Sequence, residues 1–277
     1  MRVAIVGDVH GHRVELTEML GRLEDARVDR ICFLGDLIDR GDDSFGCLRL
    51  ARTGSFKSRC GQRRRFEVIR GNHEDAYVRA WFGVPKPGET RPCLPTSDSF
   101  LKALRADEVH WMSNLPLTLK IEEMNLLLVH GGILPEMRRE ADLDARVLRC
   151  RYLDEKNGRA VPGFTHSSRF WAEEYDGRFG TVLFGHESWE KPKFFDHAIG
   201  LDGEGRGKLH AAIFNSDGRN ELTVSTLTVD YKVSAWARLA QTQISSGTSQ
   251  APTKPTTPTT DRLNQTTLFG DDKLPLW

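Results

Sequence analysis

Five short hydrophobic runs punctuate this chain, and each gives way to a glycine beside an aspartate, asparagine or histidine. Val3-Ala4-Ile5-Val6 leads into Gly7-Asp8-Val9-His10-Gly11, and Ile31-Cys32-Phe33-Leu34 into Gly35-Asp36-Leu37-Ile38-Asp39-Arg40-Gly41. Val68-Ile69 leads into Arg70-Gly71-Asn72-His73-Glu74, residues 126–129 into His130-Gly131-Gly132, and residues 182–184 into Gly185-His186-Glu187. Uninterrupted apolar runs of this length predict buried strands. A strand that stops at Gly-Asp or Gly-His delivers a polar side chain at the carboxyl edge of a sheet, where α/β proteins place their sites. The glycines let the backbone turn sharply and approach a ligand closely. Between the runs, Val14, Leu16, Met19, Leu20 and Leu23 predict an amphipathic helix, and Phe100-Leu101-Lys102-Ala103-Leu104 starts another. Residues 83–97 carry Pro85, Pro87, Pro92 and Pro95 and predict an irregular loop over the site. Residues 208–214 and 222–231 alternate apolar and polar side chains around Asn215-Ser216-Asp217-Gly218, a hairpin signal.

The pattern changes near Gln241, where Thr, Ser, Pro and Gln take over. Such a segment cannot bury enough apolar surface to offset its ordering entropy. The chain is therefore expected to divide into a folded domain over residues 1–235 and a disordered C-terminal tail over residues 241–277. That tail ends in apolar residues, Leu268-Phe269 and Leu274-Pro275-Leu276-Trp277. Composition narrows the class. With 39 basic and 39 acidic residues the formal net charge is zero, so nothing calls for nucleic acid or a membrane surface. No apolar run approaches the roughly 20 residues of a membrane span. The first strand runs straight into the first ligand block, which leaves no room for a signal peptide. Cys32, Cys47, Cys60, Cys93 and Cys150 are scattered without CxxC spacing and read as reduced thiols of a cytoplasmic protein.

The five polar blocks, as a set, resemble those of the calcineurin-like metallophosphoesterases, whose motifs run GDxHG, GDxxDRG, GNHE, VHGG and a late GH. The likeness extends over residues 1 to about 230. It is strongest to the phosphoprotein phosphatase branch, with its bacterial protein phosphatases and diadenosine tetraphosphate hydrolases. Asp39-Arg40-Gly41 completes that branch's second motif, and Gly185-His186-Glu187-Ser188 lacks the second histidine of the GHxH form used by the nuclease branches. The resemblance implies an α/β (α+β) fold, a four-layer sandwich of two mixed β-sheets flanked by α-helices. It also implies two divalent ions ~3.5–4 Å apart. Asp8 and His10 would hold one, Asn72, His130 and His186 the other, and Asp36 would bridge them. Imidazoles mixed with carboxylates favour a transition metal over magnesium, so manganese is expected, with iron, zinc or nickel as other candidates. His73 matches the family's general acid and Asp39 the carboxylate that orients it, while Glu74 reads as a structural hydrogen-bonding partner. Arg40 matches the phosphate-binding arginine. Arg149 fits the spacing of a second one best, and Arg151 stands next. Arg70 reads as a structural ion-pair residue, and Arg63-Arg64-Arg65 as a solvated loop or helix end.

The activity implied is phosphomonoester hydrolysis, on phosphorylated protein or a small metabolite, by in-line attack of a metal-bound hydroxide. A symmetrical dinucleoside tetraphosphate hydrolase is the alternative, and a metal-bearing scaffold with little turnover is a third. The second would need further basic and aromatic groups such as Arg79, Trp81, Phe82, Lys86 and Arg91, although Trp81-Phe82 reads more simply as core packing. Intact His73, Asp39 and Arg40 argue against the scaffold. One segment departs from the bacterial pattern: Leu201-Asp202-Gly203-Glu204-Gly205-Arg206-Gly207-Lys208 keeps the aspartate but replaces a cysteine-bearing loop with a charged, glycine-rich one. In the tail, Gln265-Thr266-Thr267-Leu268-Phe269 resembles the QxxLF peptides that dock on bacterial sliding clamps, through Gln265, Leu268 and Phe269.

Overall fold

Val3 and Ile5 project from one face of the first strand and Ala4 and Val6 from the other, yet all four are fully buried. A strand enclosed on both faces must lie inside a layered structure, which explains why its sequence is a continuous apolar run. A computed structural model of the chain describes residues 1–85, 97–161, 163–216 and 222–231. These fall within one compact unit, Met1–Lys232. Most of the proline-rich 83–97 segment with Lys86, Arg91 and Cys93, the Asp217-Gly218 turn, and the tail with Gln265, Leu268 and Phe269 lie outside the described residues.

Two five-stranded mixed sheets form the centre. The first is ordered Leu222–Asp230, Lys208–Ser216, Arg2–Val6, Arg30–Phe33 and Glu67–Val68, with the first two pairings antiparallel and the last two parallel. The second is ordered Lys193–Phe194, Ala198–Asp202, Thr181–Ser188, Leu126–Val129 and Thr118–Ile121, with parallel pairings on both sides of Thr181–Ser188. Val3, Ile5, Cys32 and Leu34 of the first sheet share a core cluster with Leu126, Leu128, Leu183 and Leu201 of the second. Complete burial of each such large aliphatic side chain contributes about 1.5–3 kcal/mol.

The opposite face of the first sheet, through Ala4, Val6, Ile31 and Phe33, packs on helices Arg13–Asp25, Ser44–Thr53, Asn72–Trp81, Asp98–Ala103 and Ala106–Ser113. The opposite face of the second, through Leu127, Val129, Val182 and Phe184, is covered by the one-turn helix Trp171–Glu174, short 3-10 turns and the three-stranded Tyr152–Asp154, Ala160–Val161 and Ser168–Phe170 sheet. The result is the expected four-layer sandwich, with its longer helices on one side. No helix among the described residues is long and apolar enough to cross a membrane.

Several local expectations need correction. Val14 is 58% exposed, because it lies about 200° around the Arg13–Asp25 helix from Leu16 and so off the buried Leu16-Met19-Leu23 stripe. Arg63–Arg65 is neither loop nor helix end: it pairs antiparallel with Ser55–Lys57 in a hairpin anchored by the buried ring of Phe56. Asn215 and Ser216 continue the Lys208–Ser216 strand and pair with Thr223 and Leu222, so these two residues of the hairpin signal are strand rather than turn. Trp81 and Phe82 are 40% and 62% exposed rather than core residues, since they lie at the distal end of their helix, beyond its buried Tyr77 and Val78.

Candidate active site

Four of the five runs behave as predicted. Arg2–Val6, Arg30–Phe33, Glu67–Val68 and Leu126–Val129 end just before Asp8, Asp36, Asn72 and His130. The fifth does not stop at Gly185-His186. Thr181–Ser188 runs through both residues by means of a register shift between Phe184 and Ser188, with His186 at φ 66°. Positive φ is unfavourable for residues with a Cβ. His10, Asp36, Asp39, Arg40 and His186 nevertheless adopt it, at 45°, 48°, 72°, 66° and 66°. Holding such backbone costs about 1–3 kcal/mol at each position, and here it gathers side chains from distant segments. The glycines serve the same crowding. A Cβ on Gly185 would lie 1.9 Å from Asp8 Oδ1, and one on Gly71 would lie 2.2 Å from Asp36 Oδ1.

Asp36 is the hub. Its Oδ2 lies 3.5 Å from His10 Nε2, 3.2 Å from His130 Nε2 and 3.9 Å from His73 Nε2. His10 Nδ1 donates to the carbonyl of Ile38 and His130 Nδ1 to that of Leu34, both at 2.8 Å. A carbonyl can only accept, so in the neutral rings both Nε2 lone pairs point inward. His130 Nε2 also meets Asn72 Oδ1 at 2.8 Å. Asp8 Oδ2 accepts from the His186 backbone N–H at 3.1 Å, whereas Asp8 Oδ1 is buried with no hydrogen-bond partner among the described residues. Converging acceptors with an orphaned buried carboxylate oxygen form a set that a cation satisfies. Ligand-type atoms from His10, Asp36 and His73 cluster within 4.8 Å of one another, as do those from Asp36, His130 and His186. Asp36 belongs to both clusters.

Electrostatics agree for His10 and His186, whereas at His130 burial works against charge but the Asp36 carboxylate prevails and raises the pKa. Burial, reinforced by Asp202 and Asp36, pushes the Asp8 carboxyl well above its usual range. Burial lowers His10 to about 4 and drives His186 well down, which leaves both rings neutral and able to donate lone pairs. Burial would raise Asp36, but His130, His73 and His10 outweigh it and hold the carboxylate well below its ordinary value.

His73 clusters with His10 and Asp36 but is tied differently. Its Nδ1 lies 2.5 Å from Asp39 Oδ2, and the other Asp39 oxygen accepts from Tyr77 Oη at 2.5 Å. Burial works against charge on His73, yet the carboxylates of Asp36 and Asp39 prevail and raise its pKa. A protonated ring suits a proton donor better than a metal ligand. Glu74, fully buried, accepts backbone N–H groups from Asp36, Leu37 and Gly71 at 2.9, 2.8 and 3.0 Å, and so ties the second block to the third.

The arginines divide. Arg40 and Arg151 line a cavity of about 220 Å³ together with Asp8, His10, Asp36, Asn72, His73, His186, Glu187, Ser188 and Asp202. Arg149, the better fit by spacing, is not among the lining residues: it pairs with buried Asp75 at 3.0 Å and donates to the Asn72 carbonyl. Arg70 also pairs with Asp75, at 3.7 Å, and donates to the Ser113 carbonyl, a structural role. One residue went unnoticed in the sequence: Tyr77 stands four positions after His73 on one helix, a spacing that places them on one face and was open to detection. Glu204 lay in the segment that departs from the bacterial pattern, but nothing local announced its hydrogen bond with Arg40, 164 residues away.

The model of the calcineurin-like phosphoesterase family matches residues 1–211, and the chain belongs to that family. Among curated relatives, the symmetrical bis(5'-nucleosyl)-tetraphosphatase of Chromohalobacter salexigens is 26% identical over 185 residues, covering 64% of this chain and 62% of the relative. The asymmetrical bis(5'-nucleosyl)-tetraphosphatase PrpE of Geobacillus thermodenitrificans is 27% identical over 221 residues, covering 73% and 85%. The match thus spans less than two thirds of the first relative's length. A solved structure provisionally described as a diadenosine tetraphosphatase superimposes with a TM-score of 0.64 at 26% identity, covering 83% of this chain and 94% of that one.

Proposed function

We propose that this protein is a binuclear metal-dependent phosphoric ester hydrolase. Asp8 and His10 would hold one ion, Asn72, His130 and His186 would hold the other, and Asp36 would serve both. The observation that carries this reading is the sharing of Asp36 by two clusters, with the Nε2 lone pairs of His10 and His130 facing inward. Two bound divalent ions would neutralise phosphoryl oxygens and lower the pKa of water for attack on phosphorus. Arg40 and Arg151 orient the phosphoryl group from the cavity wall. Arg40 does so through a guanidinium fork that matches two phosphate oxygens. Arg151 acts through the charge of a guanidinium already bonded to the His186 carbonyl and 3.4 Å from Glu187. His73 delivers a proton to the leaving oxygen, and Asp39 fixes its ring and tautomer while Tyr77 fixes Asp39. Manganese remains our assignment for the ions, on the mixture of imidazole and carboxylate donors.

For the substrate, the names of both relatives favour a dinucleoside tetraphosphate over the phosphomonoester that the motifs first suggest. Exposed Trp81 and Phe82 support it. They lie at the far end of the helix that begins with Asn72 and His73, roughly 13 Å along its axis, within reach of a base at the end of a polyphosphate chain. Manganese-loaded protein should therefore be compared on diadenosine tetraphosphate, a phosphopeptide and nitrophenyl phosphate, with a chelator control. Turnover of the last two without the first would return the assignment to a phosphomonoesterase. Activity that survives chelation would remove the metal reading altogether.

Two further proposals rest on sequence. The free thiols of Cys32, Cys47, Cys60 and Cys150 support the cytoplasmic assignment. The sliding-clamp assignment for Gln265, Leu268 and Phe269 is tested by titrating a peptide of residues 263–277 against a clamp, and absence of binding would end it.

A further inference from the structure

The charged loop that departs from the bacterial pattern reaches the phosphate-binding arginine. Glu204 accepts a hydrogen bond from Arg40 Nη1 and lies 3.9 Å from His12 Nε2. Arg40 needs such a partner. It occupies left-handed backbone beside Asp39, and its side chain is 44% exposed, so its own loop does little to hold it. Only Nη1 is hydrogen bonded among the described residues, which leaves the Nε and Nη2 edge free for two phosphate oxygens.

Glu204 itself is pinned. Its backbone N–H donates to Asp202 Oδ1 at 2.7 Å, and the next N–H, of Gly205, donates to Ser188 Oγ at 2.7 Å. Lys208 N–H closes the loop on the Gly203 carbonyl at 3.0 Å. Asp202 and Ser188 belong to neighbouring strands of the second sheet, whereas Arg40 follows a strand of the first. Glu204 is only 13% exposed. A gate must swing aside, but a residue whose loop backbone is held by these anchors acts as a brace.

We infer that Glu204 is a positioning residue that braces the Arg40 guanidinium in the orientation that grips phosphate, across the seam between the two sheets. The inference rests on the phosphate-binding role proposed for Arg40. It carries a cost, because a carboxylate near the site also repels the anion, so the sign of the effect separates a brace from a competitor.

The test is a double-mutant cycle on full-length manganese-loaded protein, with inorganic phosphate as the probe and binding measured by calorimetry. Arg40→Ala and Glu204→Ala should each weaken phosphate binding, the second by about tenfold, and the double variant should be little weaker than Arg40→Ala alone. Glu204→Gln, whose amide oxygen still accepts from Nη1, should restore part of the loss. Unfolding midpoints of the metal-free variants identify any loss that comes from misfolding, and the glutamine variant then carries the test. Unchanged or tighter phosphate binding in Glu204→Ala would overturn the brace, as would additive losses. If Arg40→Ala itself leaves phosphate binding unchanged, the role proposed for Arg40 falls, and the brace falls with it.

Discussion

His73 Nδ1 lies 2.5 Å from Asp39 Oδ2, as close as the Tyr77 hydroxyl lies to the other Asp39 oxygen, while Nε2 of the same ring faces the Asp36 carboxylate at 3.9 Å. One edge of the imidazole is thus committed to a fixed carboxylate, and the other is presented to the cavity. A ring held in this way can give up a proton from Nε2 without losing its orientation.

Replacement of His73 by alanine should leave metal content unchanged and reduce turnover of alkyl-type phosphate substrates by about 10²–10⁴-fold. The loss should shrink markedly with nitrophenyl phosphate, whose leaving group scarcely needs protonation. Equal losses on both substrates would remove His73 from the role of acid. Steady-state rates, together with metal analysis of the purified variant, decide the matter.

Asp36→Asn should reduce bound metal from two ions per chain toward one or none, because Asp36 alone belongs to both clusters. An amide retains one oxygen but loses the charge that offsets two cations. Elemental analysis after exhaustive dialysis is the measurement. Full binuclear occupancy in this variant would refute Asp36 as the bridge.

Arg151→Ala and Arg149→Ala should diverge. Arg151 lines the cavity, so its loss should raise KM or the inhibition constant of phosphate by roughly tenfold, the effect of about 1.4 kcal/mol. Arg149 is engaged with Asp75, which also pairs with Arg70 and Arg79, so its loss should act mainly on stability. With two cationic partners left to Asp75, a decrease of about 1 kcal/mol in urea unfolding is expected. The reverse pattern would reinstate Arg149 as the phosphate contact.

Glu74→Gln should destabilise the metal-free protein by about 1–3 kcal/mol, since an amide NH2 would confront backbone N–H groups that now find carboxylate oxygens. Because these N–H groups belong to Asp36, Leu37 and Gly71, metal affinity should fall as well. Urea titrations and metal competition assays read the two effects separately. A variant with wild-type stability would show that the three hydrogen bonds are dispensable.

Much of this was legible in the residues themselves. Continuous apolar runs such as Val3-Ala4-Ile5-Val6 imply strands buried on both faces, and the glycine-polar blocks that follow them mark one edge of the sheets. That information is local, because side-chain alternation and the conformational freedom of glycine act within a few residues. The resemblance of those blocks to the metallophosphoesterase motifs implied the ligand set and singled out His73, Asp39 and Arg40 as the groups to place.

What lay outside local reach was decided by packing between distant segments. Arg149 and Arg151 are two residues apart, and only the fold turns one toward Asp75 and the other toward the cavity. Thr181–Ser188 continues through His186 because Ser188 pairs with Asp202 beyond the register shift and the Asp8 carboxylate accepts from the His186 N–H, which no apolar run can announce. Glu204 meets Arg40 only because Asp202 and Ser188 pin its loop to the second sheet, beside the segment that follows the first sheet's Arg30–Phe33 strand. Which residue types exist along the chain follows from sequence, but which of them meet depends on contacts that close loops of many residues, and those form only when the two sheets pack.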